Sequence, residues 1–99
     1  YVSGRPWLGI SGQEVHFFYQ VYKQYPQGLY ITEVNSASDA AAKGISPGDI
    51  LLSIDGMRIT DADSFASALY AYDAGDTVTV VIYRSGRQYS LTLTVGEAN

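Results

Sequence analysis

The sequence contains no cysteine, and this absence excludes disulfide bonds and thiol catalysis. A chain without disulfides fits a reducing compartment, and it fits a bacterial envelope equally well. The absence of cysteine therefore excludes certain chemistry but does not determine the cellular compartment.

Positive charge is also scarce. The 99 residues include six Lys and Arg against ten Asp and Glu, so the net charge is −4 at neutral pH. The six basic residues are scattered along the chain, whereas phosphate binding needs clustered cations. We therefore exclude nucleic acid as a partner.

Long apolar runs and catalytic motifs are missing as well. No run approaches the roughly 18–20 apolar residues of a membrane span, and no signal-peptide pattern is visible. His16 is the single histidine, and no acid or nucleophile motif surrounds it. The patterns G-x-S-x-G, H-E-x-x-H and D-x-D-x-D-G are absent. The sequence thus predicts no catalytic residue, no metal site and no cofactor, and we do not expect this chain to be an enzyme.

What is present is the composition of a folded globule, with 46% hydrophobic and 16% charged residues. The length suits one domain with a single core. We assign residues 5–96 to this domain, residues 1–4 to a linker remnant from an upstream domain, and residues 97–99 to a tail.

Periodicity and turn residues predict short strands alternating with helices in the first half of the chain. Strands are expected at 8–11, 29–34 and 50–54, the last followed by a tight turn at Asp55-Gly56. Apolar residues at helical spacing predict a helix over 13–25. A shorter helix is expected through 40–42, with Gly44 in the left-handed conformation that ends helices.

The second half begins with a better delimited helix. Thr60 and Asp63 match the capping signature of a helix start, and Gly75 is predicted to end that helix. Two alternating strands follow, joined by a turn at Ser85-Gly86. The predicted total is five to six short strands and two to three helices, which indicates an α+β fold built on a small antiparallel barrel or sandwich.

Five segments, in the expected order, resemble the PDZ domain of bacterial HtrA/DegP-type serine proteases. The most specific is the A-A-x-x-G-I-x-P-G-D-I block that ends at Ile50. The others are the R-x-x-L-G-I entry at 5–10, the I-x-G-x-x-I segment at 54–59, a groove helix at 60–69 and a hairpin at 83–87. The resemblance covers nearly the whole chain and implies the permuted strand order of bacterial PDZ domains. One departure is the unusually aromatic segment 17–25, where such proteases often carry a blander short helix.

The resemblance places the expected site at the start of the domain. A peptide C-terminus carries a carboxylate that must keep its hydrogen bonds when it leaves water. Backbone N–H groups of Leu8, Gly9 and Ile10 are predicted to supply these bonds, and Gly9 permits the close approach that they require. Arg5 is predicted to add a charge-assisted contact. Trp7 belongs to the same loop.

The peptide is then expected to extend antiparallel along Ile10, Ser11 and Gly12 as an added strand. Its last side chain, which we expect to be apolar, enters a pocket lined by Leu8, Ile10 and the groove helix. The helix residues assigned to this pocket are Ala62, Phe65, Ala68 and Leu69.

Other interpretations of these residues remain open at this point. Phe65 and Leu69 fit a core helix as well as a groove, Arg5 fits a solvated linker, and the aromatic segment fits a packed helix better than an interaction face.

The resemblance implies that the domain recognises C-terminal or unfolded segments of protein substrates for an upstream protease domain in cis. It also implies a role in protein quality control in the bacterial cell envelope, in a parent that can be membrane-anchored and homo-oligomeric. The alternative is a docking module of a C-terminal processing protease, an intramembrane metalloprotease or a secretion component. A third and weaker possibility is a structural role in oligomer contacts.

Overall fold

An antiparallel sheet curled around one apolar core organises the chain. The computed structural model describes residues 5–22 and 24–98. These residues form eight strands and three helices, in the order β1 (Arg5–Trp7), β2 (Ile10–Glu14), α1 (Phe17–Tyr22), β3 (Leu29–Val34), α2 (Asp39–Ala42), β4 (Ile50–Ile54), β5 (Met57–Arg58), α3 (Ala62–Leu69), β6 (Thr77–Arg84), β7 (Arg87–Thr94) and β8 (Gly96–Ala98).

Within this described part, six strands form the main sheet and two form a separate small one. The main sheet has the order β2-β3-β4-β6-β7, and β5 pairs with β4 beside this path. Every neighbouring pair is antiparallel, including β1 with β8. The predicted α+β class is confirmed, and the sheet is open, so β2 and β7 lie at its two edges.

Two tight turns connect neighbouring strands as the sequence predicts. Asp55 and Gly56 have φ of 49° and 83°, and Ser85 and Gly86 have φ of 52° and 82°. Positive φ at both central residues defines the type I′ turn, whose twist matches that of the flanking strands. The registers of β4 with β5 and of β6 with β7 follow from these turns.

Alternation along the strands builds the core. In β6, Val78, Val80 and Ile82 are buried, and the intervening residues are more exposed. Burial of each such side chain contributes about 1.5–3 kcal/mol. The large side chains that are almost fully buried are Leu29, Ile31, Ile50, Leu51, Ile54, Ile59, Ile82, Leu93, Val15, Val78, Val80 and Val95.

The predicted helix over 13–25 is wrong in its extent. Gln13 and Glu14 belong to β2, where they pair with Tyr30 and Leu29, and the helix is limited to α1. Apolar spacing does not reveal the strand partner, and pairing with β3 outweighs the local helical pattern.

Of the strand predicted at 8–11, only Ile10 and Ser11 lie in a strand, β2, and the preceding strand β1 ends at Trp7 and belongs to a different sheet. β1 pairs with β8, so Glu97 and Ala98 lie in a strand although the sequence assigned them to a tail. Residues 1–4, assigned to the linker, lie outside the described residues.

The start and end of α3 also differ from the prediction. Asp61, not Thr60, is the N-cap: its carboxylate accepts from the Ser64 N–H at 2.7 Å, and the Ser64 hydroxyl accepts from the Asp61 N–H at 3.0 Å. A serine at the third helical position thus completes a capping box one residue later than expected. Gly75 does not end the helix, since α3 stops at Leu69 and Gly75 (φ 98°) lies in the turn before β6.

A buried ion pair holds the loop before β4. The Asp49 side chain is only 5% exposed, and Arg84 in β6 donates to both of its oxygens, from Nε at 2.8 Å. Arg84 also donates to the Gly44 carbonyl at 2.7 Å, and the Ser46 N–H donates to Asp49 at 2.9 Å. The hydrogen bonds from Arg84 to the Asp49 carboxylate raise the pKa of Arg84 above its usual value. The pair therefore ties the 44–49 loop to the centre of the sheet.

Replacing one member of this pair should destabilise the domain. We expect Arg84→Met to lower the free energy of unfolding by about 3 kcal/mol, at the low end for a buried ion pair because Arg84 is partly exposed. The measurement is urea denaturation, and the control is Arg87→Met in the next strand, which should change stability by about 0.5 kcal/mol or less. The double variant Asp49→Asn/Arg84→Met should recover part of the loss. Equal effects of the two arginine variants would contradict the assignment.

Candidate functional site

The chain turns between β1 and β2 at a position where the structure accommodates only glycine. Gly9 has φ of 77°, and a Cβ atom built on it would lie 2.2 Å from Cβ of Ser38. The Gly9 carbonyl accepts from the Asn35 N–H at 2.7 Å, and the buried Ser38 hydroxyl donates to the Asn35 carbonyl at 2.6 Å. These contacts hold the peptide groups around Gly9 in one orientation. Any side chain at Gly9 would disturb the fold as well as the site.

Trp7 packs against the backbone on one side of this turn. Its ring lies 3.2 Å from the Cβ position of Gly9 and 3.1 Å from that of Gly96 in β8. The half-buried indole therefore covers two glycines and braces β1 and β8 against the start of β2. The side chain of Arg5, predicted to assist carboxylate binding, lies outside the described part of the chain.

In β2, the backbone groups of every second residue face the open edge of the sheet. Ile31, the register partner of Gly12, uses both of its backbone groups on the β4 side: its N–H donates to Asp49 at 2.9 Å, and its carbonyl accepts from Gly48 at 2.8 Å. Residues opposite one another in antiparallel strands either exchange both hydrogen bonds or neither. The N–H and carbonyl of Gly12 therefore face away from β3.

The two ends of β2 fit the same alternation. Asn35 binds the Gly9 carbonyl, and the Val15 N–H donates to Gly28 at 3.3 Å, so the residues flanking Ile10 and Glu14 bond inward to β3. Ile10, Gly12 and Glu14 consequently present their backbone groups outward. In the described part of the chain, no strand pairs with this edge.

α3 lies beside β2, where the resemblance predicts the second wall of the peptide groove. Of the residues predicted for its pocket, Leu8, Ile10, Ala68 and Leu69 are buried, each at most 6% exposed. The floor of the predicted pocket is therefore part of the core itself.

The other two predicted helix residues lie closer to solvent. Phe65 is half-buried and packs against the core from its margin, and Ala62 is exposed at the start of α3. Of the two large apolar side chains of α3, Phe65 and Leu69, only Phe65 is thus partly accessible to a partner.

A contact that sequence reasoning missed anchors the end of α3. The Tyr72 hydroxyl donates to Asp55 at 2.7 Å, and the Thr79 N–H donates to the other oxygen of the same carboxylate at 2.7 Å. The Thr79 and Tyr72 hydrogen bonds lower the pKa of Asp55, and Asp55 raises the pKa of Tyr72. No local sequence pattern predicts this contact, because Tyr72 and Asp55 lie 17 positions apart.

The described residues contain no cluster of three His, Cys, Asp or Glu side chains able to hold a metal ion. Their helices are also too short to cross a membrane.

Comparison with known proteins identifies the family to which the chain belongs. The model of a family described as "PDZ domain" matches residues 6–95. The chain belongs to the PDZ domain family. The fold and the family resemblance predicted from the sequence are thereby confirmed.

Curated relatives of this PDZ domain are bacterial proteases. It is 34% identical over 95 residues to "Serine protease Do-like HtrA" of Bacillus subtilis, covering 85% of the chain and 21% of the relative. It is 27% identical to "Probable periplasmic serine endoprotease DegP-like" of Halomonas elongata, covering 94% and 20%. It is 36% identical over 73 residues to a "Putative zinc metalloprotease" of Mesorhizobium japonicum, covering 74% and 20%. The chain thus spans about a fifth of the length of these relatives.

Solved structures share the fold at lower identity. "HtrA-type protease AlgW with decapeptide" has a TM-score of 0.83 and 24% identity, covering 97% of this chain and 30% of that one. The "HtrA3 PDZ Domain Bound to a Phage-Derived Ligand" has a TM-score of 0.73 and 18% identity, covering 95% and 86%. At these identities the likeness concerns the fold alone.

From the Asp55–Tyr72 hydrogen bond we expect the stability of the domain to depend on pH at both the acidic and the alkaline end. Because the pKa of Asp55 is lowered from 3.8, its contribution to stability is present above that value and disappears as the pH falls through the folded pKa. Because the pKa of Tyr72 is raised from 10.0, its contribution is present below that value and disappears as the pH rises through the folded pKa.

We therefore expect Tyr72→Phe to be less stable than the wild type between about pH 5 and pH 9, and the difference to shrink toward about pH 2 and pH 12. Guanidinium denaturation across this range measures it. Tyr70→Phe, at an exposed tyrosine just after α3, serves as the control and should show no such profile. A difference for Tyr72→Phe that is independent of pH would contradict the assignment.

Proposed function

We propose that this PDZ domain binds the C-terminus, or an extended segment, of a polypeptide as a strand added antiparallel to β2. The observation that carries the proposal is the outward orientation of the backbone groups of Ile10, Gly12 and Glu14 at an open sheet edge. Such an edge supplies main-chain hydrogen bonds to a partner strand, and pockets beside it select side chains.

The turn at Gly9 supports a carboxylate at one end of this strand. With the Gly9 carbonyl bonded inward to Asn35, the N–H groups of Leu8, Gly9 and Ile10 lie where the groove begins. Backbone N–H groups that converge in this way form an anion-binding concavity. A peptide whose C-terminus lies here must run antiparallel to β2, and its last residue then pairs with Ile10.

The apolar pocket supports the choice of the last side chain. Its floor is formed by core residues, and Phe65 forms its margin on α3. Burial of one Val- or Leu-sized group contributes about 1.5–3 kcal/mol. Together with a few backbone hydrogen bonds, this suggests dissociation constants on the order of micromolar, or about −8 kcal/mol.

We further propose that the domain serves an HtrA-type serine protease of the bacterial cell envelope in substrate recognition and regulation. The names of the Bacillus subtilis and Halomonas elongata relatives support the protease, and "periplasmic" in the second supports the location. In this proposal the catalytic residues belong to an upstream domain in cis, and the chain itself only binds.

A docking role in a membrane-associated metalloprotease is the second candidate, because the Mesorhizobium japonicum relative is named a zinc metalloprotease. The sequence upstream of Tyr1 distinguishes the two. A G-N-S-G-G nucleophile loop there would support the serine protease, and apolar membrane segments would support the metalloprotease.

The requirement for a C-terminal carboxylate on the ligand is tested with a library of C-terminal peptides, and each peptide that binds is retested as its C-terminal amide. We expect apolar-ended peptides to bind with micromolar dissociation constants and amidation to abolish binding, because the amide loses the charge that the N–H groups hold. Isothermal titration calorimetry measures both. Equal binding of acids and amides would contradict the carboxylate site.

The groove wall is tested by truncating Phe65. Phe65→Ala should weaken peptide binding about tenfold, the loss of about 1.4 kcal/mol of apolar contact. Tyr70→Ala removes an aromatic ring just beyond the same helix, at a side chain 66% exposed, and should leave affinity unchanged. Circular dichroism confirms that both variants are folded, and equal affinities would contradict the position of the groove.

Strand addition is tested by N-methylation along the peptide. Methyl groups on the last and third-from-last residues remove the N–H groups that face the carbonyls of Ile10 and Gly12. We expect each to weaken binding about fivefold, the effect of about 1 kcal/mol for one hydrogen bond. N-methylation of the residue between them should have little effect, since its N–H faces solvent. Loss of affinity without this alternation would contradict the added strand.

A further inference from the structure

A second cavity lies beside β2, on the face of the sheet opposite the core. It has a volume of about 330 Å³ and is lined by Gln13, Val15, His16, Tyr19, Tyr25 and Tyr30. We call it the tyrosine pocket. Two of its residues, Tyr19 and Tyr25, belong to the unusually aromatic segment 17–25, so the tyrosine pocket is a feature of this sequence rather than of the resemblance.

The aromatic rings of the tyrosine pocket support one another. Tyr19 meets His16 edge-to-face at 6.4 Å between centroids and lies 6.3 Å from Tyr25. Tyr25 in turn meets Tyr83 of β6 edge-to-face at 6.3 Å. Such pairs add to the stability of the ring arrangement. The tyrosine pocket is therefore connected to the main sheet through Tyr83 and does not depend on α1 alone.

The register of β2 and β3 shows which face the tyrosine pocket occupies. Gln13 and Tyr30 are register partners, so their side chains project to the same face. On either side of Tyr30 in β3, Leu29 and Ile31 are buried in the core, so Tyr30 and Gln13 face outward. The tyrosine pocket thus continues directly from the peptide edge onto the outer face.

The proposed strand addition determines which ligand residue reaches it. When the last ligand residue pairs with Ile10, the third from the end pairs with Gly12 and the fourth from the end lies opposite Gln13. The side chain of that fourth residue shares the face of Gln13 and Tyr30. It therefore enters the tyrosine pocket.

Charge and ring chemistry favour a cation in this position. The tyrosine faces are electron-rich, and a planar guanidinium stacks on them while it donates to hydroxyl and amide oxygens. The domain carries a net charge of −4, and exposed Glu33 lies on β3 beside Ser11.

We infer that the tyrosine pocket binds an arginine side chain at the fourth residue from the C-terminus of the ligand. This inference rests on the proposed function, because it uses the register of the added strand. It assigns the domain a ligand class: peptides with an apolar last residue and an arginine three residues before it.

The test compares peptides that differ only at this fourth residue. Citrulline has the shape of arginine without its charge, so the pair isolates the cation. We expect the arginine peptide to bind about fivefold more tightly than the citrulline peptide, and glutamate to bind more weakly than citrulline. Equal affinities for arginine and citrulline, or tighter binding of phenylalanine than of arginine, would overturn the inference.

A variant of the pocket completes the test. Tyr19→Leu should remove the preference for arginine over citrulline. Tyr22→Leu, on the same helix but outside the lining and 71% exposed, should retain the preference. A preference that survives Tyr19→Leu would place the arginine elsewhere and overturn the assignment.

Amidated peptides separate this inference from the proposed function. If amides bind as well as acids, the carboxylate register fails and the tyrosine pocket loses its assigned ligand residue with it. If amidation abolishes binding but arginine and citrulline bind equally, the groove stands and only the arginine assignment fails.

Discussion

The positive φ of Gly9 is the constraint on which the arrangement of the site depends. It ends β1 and begins β2, so that one side of the turn pairs with β8 and the other with β3. The same conformation directs the Gly9 carbonyl to Asn35 and thereby sets the alternation along β2. Since Cβ of Ser38 occupies the space that a side chain would need, backbone geometry and packing select glycine independently.

The proposed pocket for the last ligand residue and the core of the domain share the same side chains. Leu8, Ile10, Ala68 and Leu69 are buried in the free domain, and their substitution would create cavities or buried charge before it changed selectivity. Adjustable positions therefore lie at the margins, at Phe65 and in the tyrosine pocket. In the proposed binding mode, this division lets a stable scaffold combine a fixed carboxylate site with a ligand preference set at its margins.

Local sequence patterns predicted the turns and strands whose conformation is determined by neighbouring residues. The turns at Asp55-Gly56 and Ser85-Gly86 follow from dipeptides that accept positive φ, and the strand at 29–34 from its alternation and flanking glycine. The extent of β2 could not be predicted in this way, because Gln13 and Glu14 are polar and join the strand only through their partners in β3. The predicted helix over 13–25 therefore included these two residues.

Contacts between distant parts of the chain were also beyond prediction. The Asp49–Arg84 pair joins residues 35 positions apart, and no local pattern predicts it. The packing of Trp7 on Gly96 and the bond from Tyr72 to Asp55 likewise require the closed sheet. For the candidate site, the motif located the loop and the helix, but burial was needed to separate Phe65 at the margin from Leu69 in the core.

The open edge of β2 presents a risk as well as a binding surface, since an unpaired strand can recruit other strands indiscriminately. Here the edge is short, irregular between Ser11 and Gly12, and ends at the exposed charge of Glu14. Few hydrogen bonds are therefore available to an internal segment, and each adds only about 1 kcal/mol. In the proposed binding mode, a carboxylate at Gly9 and a side chain in the apolar pocket supply what the short edge lacks. The selectivity for chain ends and the protection against aggregation then have the same physical origin.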